Sequence, residues 1–247
     1  MEKLNIELLN GDCLDILSWI PDKSIDMILC DPPYGTTQCK WDTIIPFEPM
    51  WVELKRVIKD HGAICLFGSE PFSSHLRLSN LKMFKYDWIW DKTVGGNPFN
   101  NKIRPANVFE NIMVFNSKKY YPIMENAKKE NIRPISKSEQ KTDLMNSFKN
   151  FEQKSDPNMR FPKNHLIFSS RQDECNSLNR SHPTQKPVAL LEYLIKTYTL
   201  ENETVLDFTM GSGSTGVAAK NLNRHFIGIE KDKKYFEIAK NRILGEL

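Results

Sequence analysis

The sequence predicts an α/β fold in which a mainly parallel sheet is covered by helices on both faces. Two observations carry this prediction: short apolar runs alternate with helix-like segments, and one of those runs enters a glycine-rich loop that opens a helix. This alternation is typical of parallel sheets, because parallel strands need crossover connections. With 247 residues, 40% of them hydrophobic, the chain can bury one large core and carry a smaller lobe.

The strands are predicted from short apolar runs that end at turn residues. The run Ile25–Cys30, for example, is too short for a helix and is stopped by a pair of prolines. The loop at 93–107 is too polar and too rich in Gly and Asn for a connecting helix, so the strands beside it should be antiparallel. The seven predicted strands span residues 6–9, 25–30, 62–68, 86–90, 111–115, 204–208 and 225–230.

The helices are predicted from amphipathic spacing and from signals at their first turns. Residues 50–59, for instance, place Val52, Leu54 and Val57 at apolar positions. Pro187 begins another helix, because proline is well tolerated in the first turn. The predicted helices span residues 50–59, 71–79, 187–195, 217–222 and 233–244.

A motif of four residues, Asp31, Pro32, Pro33 and Tyr34, directly follows the strand at 25–30. Open α/β sheets bind their ligands at the carboxyl ends of strands, so the motif delivers an acid and an aromatic ring to that edge. The two prolines stiffen this backbone because their φ angles are fixed near about −65°. Such a place suits a flat group held between a carboxylate and a ring. The alternative is a strand followed by an ordinary turn, and these four residues alone do not decide between the two.

A second motif follows the strand at 204–208. Gly211, Gly213 and Gly216 have the G-x-G-x-x-G spacing of nucleotide sites, where glycine allows close approach and the helix start offers unpaired N–H groups. Glu230 ends the next strand and is suited to accept hydrogen bonds from ribose hydroxyls. NAD and S-adenosylmethionine both carry such a ribose, so the glycines predict a nucleotide-type ligand without identifying it. A solvated acid at a strand end is the alternative for Glu230.

Composition narrows the class of protein. No apolar stretch approaches the ~20 residues that span a bilayer, and the first residues do not resemble a signal peptide. The cysteines are odd in number and form no C-x-x-C pair or His/Cys cluster, and three of them lie in or beside apolar runs. We therefore expect a cytoplasmic protein with reduced core thiols, no membrane association and no metal site. The five cysteines are Cys13, Cys30, Cys39, Cys65 and Cys175.

Residues 118–165 are the most basic part of the chain. They hold eleven Lys and Arg against six Asp and Glu, a net charge of +5 where the whole chain has +3. A solvated insertion is one interpretation. The other is a lobe that binds a phosphate backbone, and Phe148, Phe151 and Phe161 favour a segment that is at least partly folded.

Together these features resemble the β-group DNA amino-methyltransferases, which methylate an exocyclic NH2 of adenine or cytosine. In that family the Asp-Pro-Pro-Tyr motif comes first, then a DNA-recognition region, then the cofactor motif; here the order is 31–34, 118–165 and 207–216. Residues 182–187, His-Pro-Thr-Gln-Lys-Pro, match the family's helix-opening stretch beside the cofactor's methionine end. The resemblance covers nearly the whole chain.

The resemblance implies a circularly permuted class I S-adenosylmethionine-dependent methyltransferase fold. Its seven-stranded sheet has the spatial order 3-2-1-4-5-7-6 in the family's numbering, with strand 7 antiparallel. Residues 1–117 would form the catalytic part of the methyltransferase domain, and 166–247 the cofactor-binding part of the same domain. Residues 118–165 would be an inserted target-recognition segment.

The resemblance also implies a role for each site residue. Asp12 and Cys13 would contact the cofactor's adenine, Asp207 its methionine amino group and Glu230 its ribose. The chain reads Asp-Phe-Thr where the family usually reads Asp-Pro-Phe, which moves the ring of Phe208 by one position and leaves its packing on the cofactor open. The full cofactor site implied is Asp12, Cys13, Asp31, Thr184, Lys186, Asp207, Phe208, Gly211, Ser212, Gly213, Ser214, Thr215 and Glu230.

The chemistry follows from the weak nucleophilicity of an exocyclic amino nitrogen, whose lone pair is delocalised into the ring. Asp31 would accept one N–H and the Pro32 carbonyl the other, which favours a pyramidal nitrogen for in-line attack on the sulfonium methyl. Tyr34 would stack on the base, which must be flipped out of the duplex to reach the pocket. No covalent intermediate is required. The predicted catalytic residues are Asp31, Pro32, Pro33 and Tyr34, and the predicted DNA contacts are Lys92, Arg104, Lys128, Lys129 and Arg133.

Several alternatives stay open. The Asp-Pro-Pro-Tyr motif favours adenine N6, because the cytosine-N4 enzymes more often begin with Ser, but both chemistries need the same acceptors. An NAD-dependent oxidoreductase would explain the glycines and leave the motif at 31–34 unexplained. RNA is an alternative to double-stranded DNA, because charge does not separate them. We expect a cytoplasmic, nucleoid-associated protein of prokaryotic or phage origin, with a homodimer and a cognate restriction endonuclease as open partners.

Overall fold

The computed structural model describes residues 4–37, 42–95, 102–126, 158–170 and 185–245. The chain divides into two compact units, one formed by residues 1–121 and 164–247 and the other by residues 122–163. The strands are β1 (Ile6–Asn10), β2 (Ile25–Cys30), β3 (Ile58–Gly68), β4 (Phe84–Asp91), β5 (Phe109–Phe115), β6 (Glu125–Asn126), β7 (Met159–Arg160), β8 (His165–Ile167), β9 (Thr204–Asp207) and β10 (His225–Glu230). The helices are α1 (Cys13–Leu17), α2 (Phe47–Val57), α3 (Phe72–Ser79), α4 (Val188–Tyr198), α5 (Ser214–Asn221) and α6 (Lys233–Leu244).

The larger unit contains an eight-stranded sheet in the order β1-β10-β9-β2-β3-β5-β4-β8. All neighbouring strands are parallel except β5, which is antiparallel to both β3 and β4. The first seven positions are the permuted order expected from the sequence, with β5 as its antiparallel strand, so the predicted fold is confirmed. The eighth strand, β8, was not predicted, because its three residues include a single buried side chain, Leu166.

Apolar layers cover both faces of the sheet. Every residue of β2 is buried, as in a central strand of a parallel sheet. Alternate residues point to opposite faces, so Met27 and Leu29 join one apolar cluster and Ile28 and Cys30 the other. Helices α4, α5 and α6 supply buried residues to the first cluster, and α1, α2 and α3 to the second.

The boundary between α2 and β3 differs from the prediction. The sequence predicts helix over 50–59 and strand from 62, whereas the helix ends at Val57 and the strand begins at Ile58. The reason is tertiary: Ile58 is β-branched, 2% exposed and paired with Ile25 of β2. Strand pairing overrides the amphipathic pattern there.

The smaller unit is described only at its two ends. Strands β6 and β7 form an antiparallel pair, with Glu125 opposite Arg160 and Asn126 opposite Met159. Residues 127–157 lie outside the described residues, including Phe148 and Phe151, so the recognition role of 118–165 stays a prediction.

Two structural features relate to the predictions from composition, namely the burial of the cysteines and the length of the helices. Cys13, Cys30 and Cys65 are buried and unpaired, as predicted for core thiols, whereas Cys39 and Cys175 fall outside the described residues. Among the helices of the described ranges, none has both the length and the apolar character needed to cross a bilayer.

Candidate active site

A cavity of about 890 Å³ opens at the carboxyl edge of the sheet. This volume lies near the top of the range of roughly 300–1,000 Å³ usual for small-molecule sites. Four acids reach it from neighbouring strands: Asp12 follows β1, Asp31 follows β2, Asp207 ends β9 and Glu230 ends β10. The parallel order of these strands brings residues from distant parts of the chain to one edge.

Asp31 is held at this edge by two side chains. The Tyr34 hydroxyl donates to its Oδ1 at 2.5 Å, and Lys186 Nζ donates to its Oδ2 at 2.5 Å. Burial raises the pKa of Asp31, an effect that the Lys186 ammonium opposes and the Glu110 carboxylate reinforces. A carboxylate at this position can accept further hydrogen bonds, because each oxygen has two lone pairs.

The ring of Tyr34 is positioned separately from its hydroxyl. It stacks on the ring of Phe72 with centroids 5.1 Å apart and an interplanar angle of 25°. Phe72 is buried at the start of α3, so the stack ties the motif to the core. Burial also raises the pKa of the Tyr34 hydroxyl, which keeps it a donor to Asp31.

Lys186 links the motif to a second carboxylate. Its Nζ lies 3.2 Å from Glu110 Oε2, and Lys92 Nζ lies 3.2 Å from Glu110 Oε1. Although burial opposes it, these two ammonium groups lower the pKa of Glu110. Asp31, Lys186, Glu110 and Lys92 thus form a charge ladder, in which two acids alternate with two lysines.

Aromatic rings surround the Lys186 ammonium. The centroids of Tyr34, Phe67 and Trp90 lie 5.9, 5.1 and 5.8 Å from Nζ. Rings at this distance attract a cation through their negative faces. Burial works against the Lys186 charge, but the carboxylates of Asp31 and Glu110 raise its pKa overall.

The glycine loop and Glu230 are joined through the backbone. Gly211 has φ +52° and open space where a Cβ would point, and its N–H donates to Glu230 Oε2 at 2.8 Å. The other oxygen, Oε1, accepts from the N–H of Asp232 at 2.8 Å. Burial raises the pKa of Glu230. The loop therefore presents a bare backbone and a fixed carboxylate to the cavity.

Gly213 has a different reason to be glycine. Its φ is +81°, and a Cβ there would lie 2.9 Å from Ala239 Cβ and from Ile243 Cδ1 of α6. It is not among the residues that line the cavity. Its missing side chain allows α5 to approach α6, so helix packing accounts for this glycine. The cofactor contact predicted for Gly213 stays a prediction.

Asp207 is almost fully buried, and burial raises its pKa to about 7. Its Oδ1 accepts from the N–H of Thr209 at 3.1 Å. The Thr209 hydroxyl in turn donates to the Asp31 carbonyl at 3.1 Å, so the two acid-bearing loops are joined. A buried acid of this kind attracts a cation or a hydrogen-bond donor.

Asp12 and Cys13 begin α1 beside the cavity. Asp12 caps the helix by accepting from the N–H of Leu14 at 3.0 Å, and it pairs with Lys231 Nζ at 2.9 Å. The Lys231 contact lowers the pKa of Asp12. Burial raises the pKa of Cys13 to about 12, so this thiol is no nucleophile at neutral pH.

The loop after Tyr34 is fastened by Asp42. One carboxylate oxygen accepts from the N–H of Gly35 at 2.8 Å, and the other from Thr36 and Thr37 at 2.9 and 2.6 Å. Burial alone would raise the pKa of Asp42, but these donors lower it overall. Thr36, Thr37 and Asp42 all line the cavity, so this turn forms part of its wall.

A family model for N6/N4 enzymes, described as DNA methylase, matches residues 25–241 of the chain. The chain belongs to the N6/N4 DNA methylase family. The family uses S-adenosylmethionine as its cofactor, and the chain is an S-adenosylmethionine-dependent DNA methyltransferase.

Two relatives illustrate the similarity within this DNA methylase family. The type II methyltransferase M2.LlaDCHI of Lactococcus lactis subsp. cremoris is 31% identical over 268 residues, which cover 98% of this chain and 90% of the relative. The type II methyltransferase M.HpaI of Haemophilus parainfluenzae is 30% identical over 264 residues, covering 97% and 74%.

Solved structures of DNA methylases support the fold. The M1.HpyAVI–SAM complex is 25% identical with a TM-score of 0.64, covering 96% of this chain and 98% of that one. The PvuII DNA methyltransferase, described as cytosine-N4-specific, has a TM-score of 0.68 and covers 96% and 86%. It is 17% identical, so that likeness concerns the fold alone.

The structure brings most of the predicted methylase site together. The predicted residues that line the cavity are Asp12, Cys13, Asp31, Pro32, Pro33, Tyr34, Lys92, Lys186, Asp207, Phe208, Gly211, Ser212, Ser214, Thr215 and Glu230. Phe208 is 1% exposed and also packs in the core cluster of α1 to α3. Arg104 is exposed and does not line the cavity. Thr184, Lys128, Lys129 and Arg133 lie outside the described residues.

Glu110 and Asp42 line the cavity but were missing from the predicted set. Glu110 is the second residue of β5 and contacts Lys186, Lys92 and Tyr34. An acid entering an otherwise apolar strand was its signal in the sequence. Asp42 gave no comparable signal, because three backbone donors in a turn leave no mark in the side-chain pattern.

Proposed function

We propose that this chain transfers a methyl group to the exocyclic N6 of adenine in a specific DNA sequence. The observation that carries the proposal is the ionic environment of Asp31, which keeps a carboxylate at the cavity edge with an aromatic ring three residues away. Asp31 accepts one N–H of the target amino group, and the Pro32 carbonyl accepts the other. Tyr34 stacks on the base.

The positions of these groups support that division of labour. The Tyr34 ring is fixed by Phe72 and its hydroxyl by Asp31, so ring and acceptor are held at a set separation. Preorganised acceptors favour a pyramidal nitrogen, whose lone pair is then available for attack. S-adenosylmethionine, when bound, supplies the methyl group as an electrophilic sulfonium methyl. As the N–C bond forms, the C–S bond would break and release S-adenosylhomocysteine as the neutral thioether. The Asp31 carboxylate would stabilise the positive charge on the amino nitrogen until that nitrogen loses one proton to water.

The cavity residues fit this cofactor. Glu230 and the bare Gly211 backbone suit a ribose, and the buried Asp207 suits the methionine ammonium, because a cation there would offset the burial that raises the pKa of this acid to about 7. Asp12 suits the adenine end, where Lys231 fixes its orientation. The residues proposed as cofactor contacts can be tested by calorimetry with S-adenosylmethionine on alanine variants of Glu230 and Asp207.

Adenine is favoured over cytosine by the first residue of the motif. Asp31 stands where the cytosine-N4 enzymes more often carry Ser, according to the family resemblance. Cytosine N4 is the second candidate, since the same acceptors serve both amino groups. The two are separated by methylating mixed-sequence DNA, digesting it to nucleosides and identifying the product by mass spectrometry. N6-methyladenine is expected, and N4-methylcytosine alone would overturn the adenine assignment; an RNA substrate offered in parallel tests the third alternative.

We propose that residues 118–165 recognise the target DNA. The support is the net charge of +5 in this segment, and the partner is double-stranded DNA that presents a flipped base. Neutralising Lys128, Lys129 and Arg133 should raise the Michaelis constant for DNA and leave the affinity for S-adenosylmethionine unchanged. Three lost phosphate contacts should flatten the salt dependence of log K by nearly three, at about 0.9 each. An unchanged slope would mean that the segment is a solvated face.

The type II relatives support a restriction-modification setting. We propose a cognate endonuclease that cleaves the unmethylated site, and a homodimer as the alternative to a monomer. Protection of host DNA against the nuclease of a neighbouring gene would test the first, and light scattering the second.

A further inference from the structure

Lys186 makes contacts that a role at the cofactor's methionine end does not require. It follows Asp31 by 155 residues in the chain, yet its Nζ donates to Asp31 Oδ2 at 2.5 Å. The same nitrogen lies 3.2 Å from Glu110 Oε2, and the side chain is 8% exposed. An ammonium buried in this way is directed at the motif that follows β2.

We propose that Lys186 and Glu110 form a positioning pair for Asp31, in which Lys186 keeps the Asp31 carboxylate charged and oriented and Glu110 keeps Lys186 in place. The inference rests on the proposed function, in which Asp31 accepts an N–H of the target amino group. Neither residue of the pair touches the base; each acts through Asp31.

The physical reason is the cost of a lone charge in a dry pocket. A buried carboxylate without a partner takes up a proton, and a protonated carboxyl is a poorer acceptor for the target N–H. Lys186 opposes this protonation directly. Glu110 balances the second positive charge contributed by Lys92, so the charge ladder of two acids and two lysines is neutral overall.

Lys186 and Glu110 leave Asp31 free to accept a further hydrogen bond. Tyr34 uses one lone pair of Oδ1 and Lys186 one of Oδ2, so each oxygen retains a lone pair for a further donor. The target amino group therefore binds without displacing Lys186. The aromatic rings around Nζ keep the ammonium on this side of the cavity.

Several other groups face Asp31, and their charges enter the same balance. Tyr34 belongs to its own loop and is neutral, since burial raises its pKa. Cys30 lies beneath it in β2, where burial keeps the thiol protonated. Asp207, at the end of β9, adds an acid with a pKa raised to about 7. Lys186 from the start of α4 is the cation in direct contact.

The test begins with Lys186→Met, which removes the charge and keeps the length of the side chain. The turnover number at saturating substrates is measured across pH, together with the affinity of the free enzyme for S-adenosylmethionine by calorimetry. An opposite charge lowers a carboxylate pKa by about 1–3 units. Without Lys186, the pH below which the turnover number falls (the acid limb of the pH profile) should therefore rise by that amount. The cofactor affinity reports separately on the cofactor contact predicted for Lys186.

Glu110→Gln supplies a prediction of opposite sign. The Glu110 carboxylate raises the pKa of Asp31, so its removal should move the acid limb to lower pH, while the amide oxygen still accepts from Lys186. In the double variant, Glu110→Gln should restore part of the activity lost in Lys186→Met, because it removes the second carboxylate that raises the pKa of Asp31. A merely structural role would give additive losses and no movement of the limb.

Lys196→Met is the matched control, since Lys196 is an exposed lysine of α4. It should behave as wild type, and thermal unfolding reports whether each variant folds. The proposal is overturned if Lys186→Met keeps its acid limb and instead loses tenfold or more in cofactor affinity. That outcome would leave the proposed function standing, because the methylated product and the effect of Asp31→Ala test it independently.

Discussion

An acid lies near each end of β2, with Asp26 buried inside the strand and the partly buried Asp31 just after it, and the two acids are held in different ways. Near the amino end, Asp26 accepts from Lys59 Nζ at 2.8 and 2.7 Å and from the backbone N–H of Thr204 at 3.0 Å. At the carboxyl end, Asp31 accepts from the side chains of Tyr34 and Lys186. One acid is fastened to the sheet itself, and the other to side chains that border a cavity.

The difference separates an acid held within the sheet from the acid that we propose acts in catalysis. Asp26, His61 and Glu203 bring ligand atoms within 4.8 Å of one another, an arrangement that could hold a metal ion. Lys59 already occupies both oxygens of Asp26, so an ion pair accounts for this cluster. Around Asp31, by contrast, the partners leave acceptor capacity facing the cavity. Similar sets of residues thus hold the two acids differently, and acceptor capacity remains free only beside the cavity.

The largest expected effect is that of Asp31→Ala on turnover. We expect the turnover number to fall about 10³-fold or more, because the variant loses the acceptor of the target amino group. Stability should change little, since Asp31 sits at a cavity edge and no backbone donor loses its partner. Retained turnover within tenfold of wild type, measured by methyl transfer to DNA, would remove Asp31 from the catalytic role.

Asp26→Ala should show the reverse pattern. It leaves the Thr204 N–H and the Lys59 ammonium without their acceptor, and Lys59 is one-third exposed, so water recovers part of the loss. We expect the free energy of unfolding to fall by about 2–3 kcal/mol. Turnover per folded molecule should stay near wild type, as chemical denaturation and activity assays at low temperature will show. Losses of turnover as large as those of Asp31→Ala would end the contrast between the two acids.

Substitutions of Tyr34 separate the contribution of its ring to turnover from the contribution of its hydroxyl. Tyr34→Ala should cost one to two decades in turnover, because stacking on a base is worth about 1–3 kcal/mol. Tyr34→Phe should cost less, yet more than nothing, because its hydroxyl donates to Asp31. Turnover numbers of the two variants separate the contributions. Equal losses would assign the whole effect to the hydroxyl.

The contrast also explains which parts of the molecule were predictable from sequence. The strands that lead to Asp31, Asp207 and Glu230 were predicted because apolar runs and glycines are local signals. The start of β3 at Ile58 was not, because pairing with β2 decides it. The contact between Lys186 and Asp31 was also beyond the sequence, since it joins residues 155 positions apart.

Asp207, which lines the cavity, should make the free energy of unfolding depend on pH. Its folded pKa of about 7 lies above its ordinary value of 3.8, so the folded state binds the extra proton. The stability of the free protein should therefore fall as pH rises from about 4 through about 7, by on the order of a few kcal/mol. Asp207→Asn should flatten this decline in melting temperatures recorded across that range. An identical decline in the variant would assign it to other groups.

The smallest expected effect concerns Asp42, which is tied to backbone donors as Asp26 is, yet stands at the cavity. Asp42→Asn keeps one acceptor oxygen for three N–H groups, so at least one donor of the Gly35–Thr37 turn loses its partner. We expect a loss of about 1 kcal/mol in stability and a decrease in turnover smaller than that of Tyr34→Phe. The hydrogen bonds lower the pKa of Asp42. The difference in stability between wild type and Asp42→Asn should therefore disappear only as pH falls through that lowered pKa.

The matched control for Asp42 is Asp60→Asn, which removes an equal charge from an exposed acid paired with Lys23 at 2.9 Å. Exposed pairs of this kind contribute little to stability because solvent screens them, so this variant should resemble wild type in both melting temperature and turnover. If Asp42→Asn shows the same melting temperature and turnover as Asp60→Asn, the turn must be held by packing. Ile44 packs closely on Gly35 there, since a Cβ added to Gly35 would lie 2.8 Å from Ile44 Cγ1. If the turnover of Asp42→Asn falls while its melting temperature stays at the wild-type value, an acid bound by backbone donors would serve catalysis as well as the fold. The contrast between Asp26 and Asp31 would then depend on their distance from the cavity more than on the kind of donor that each accepts from.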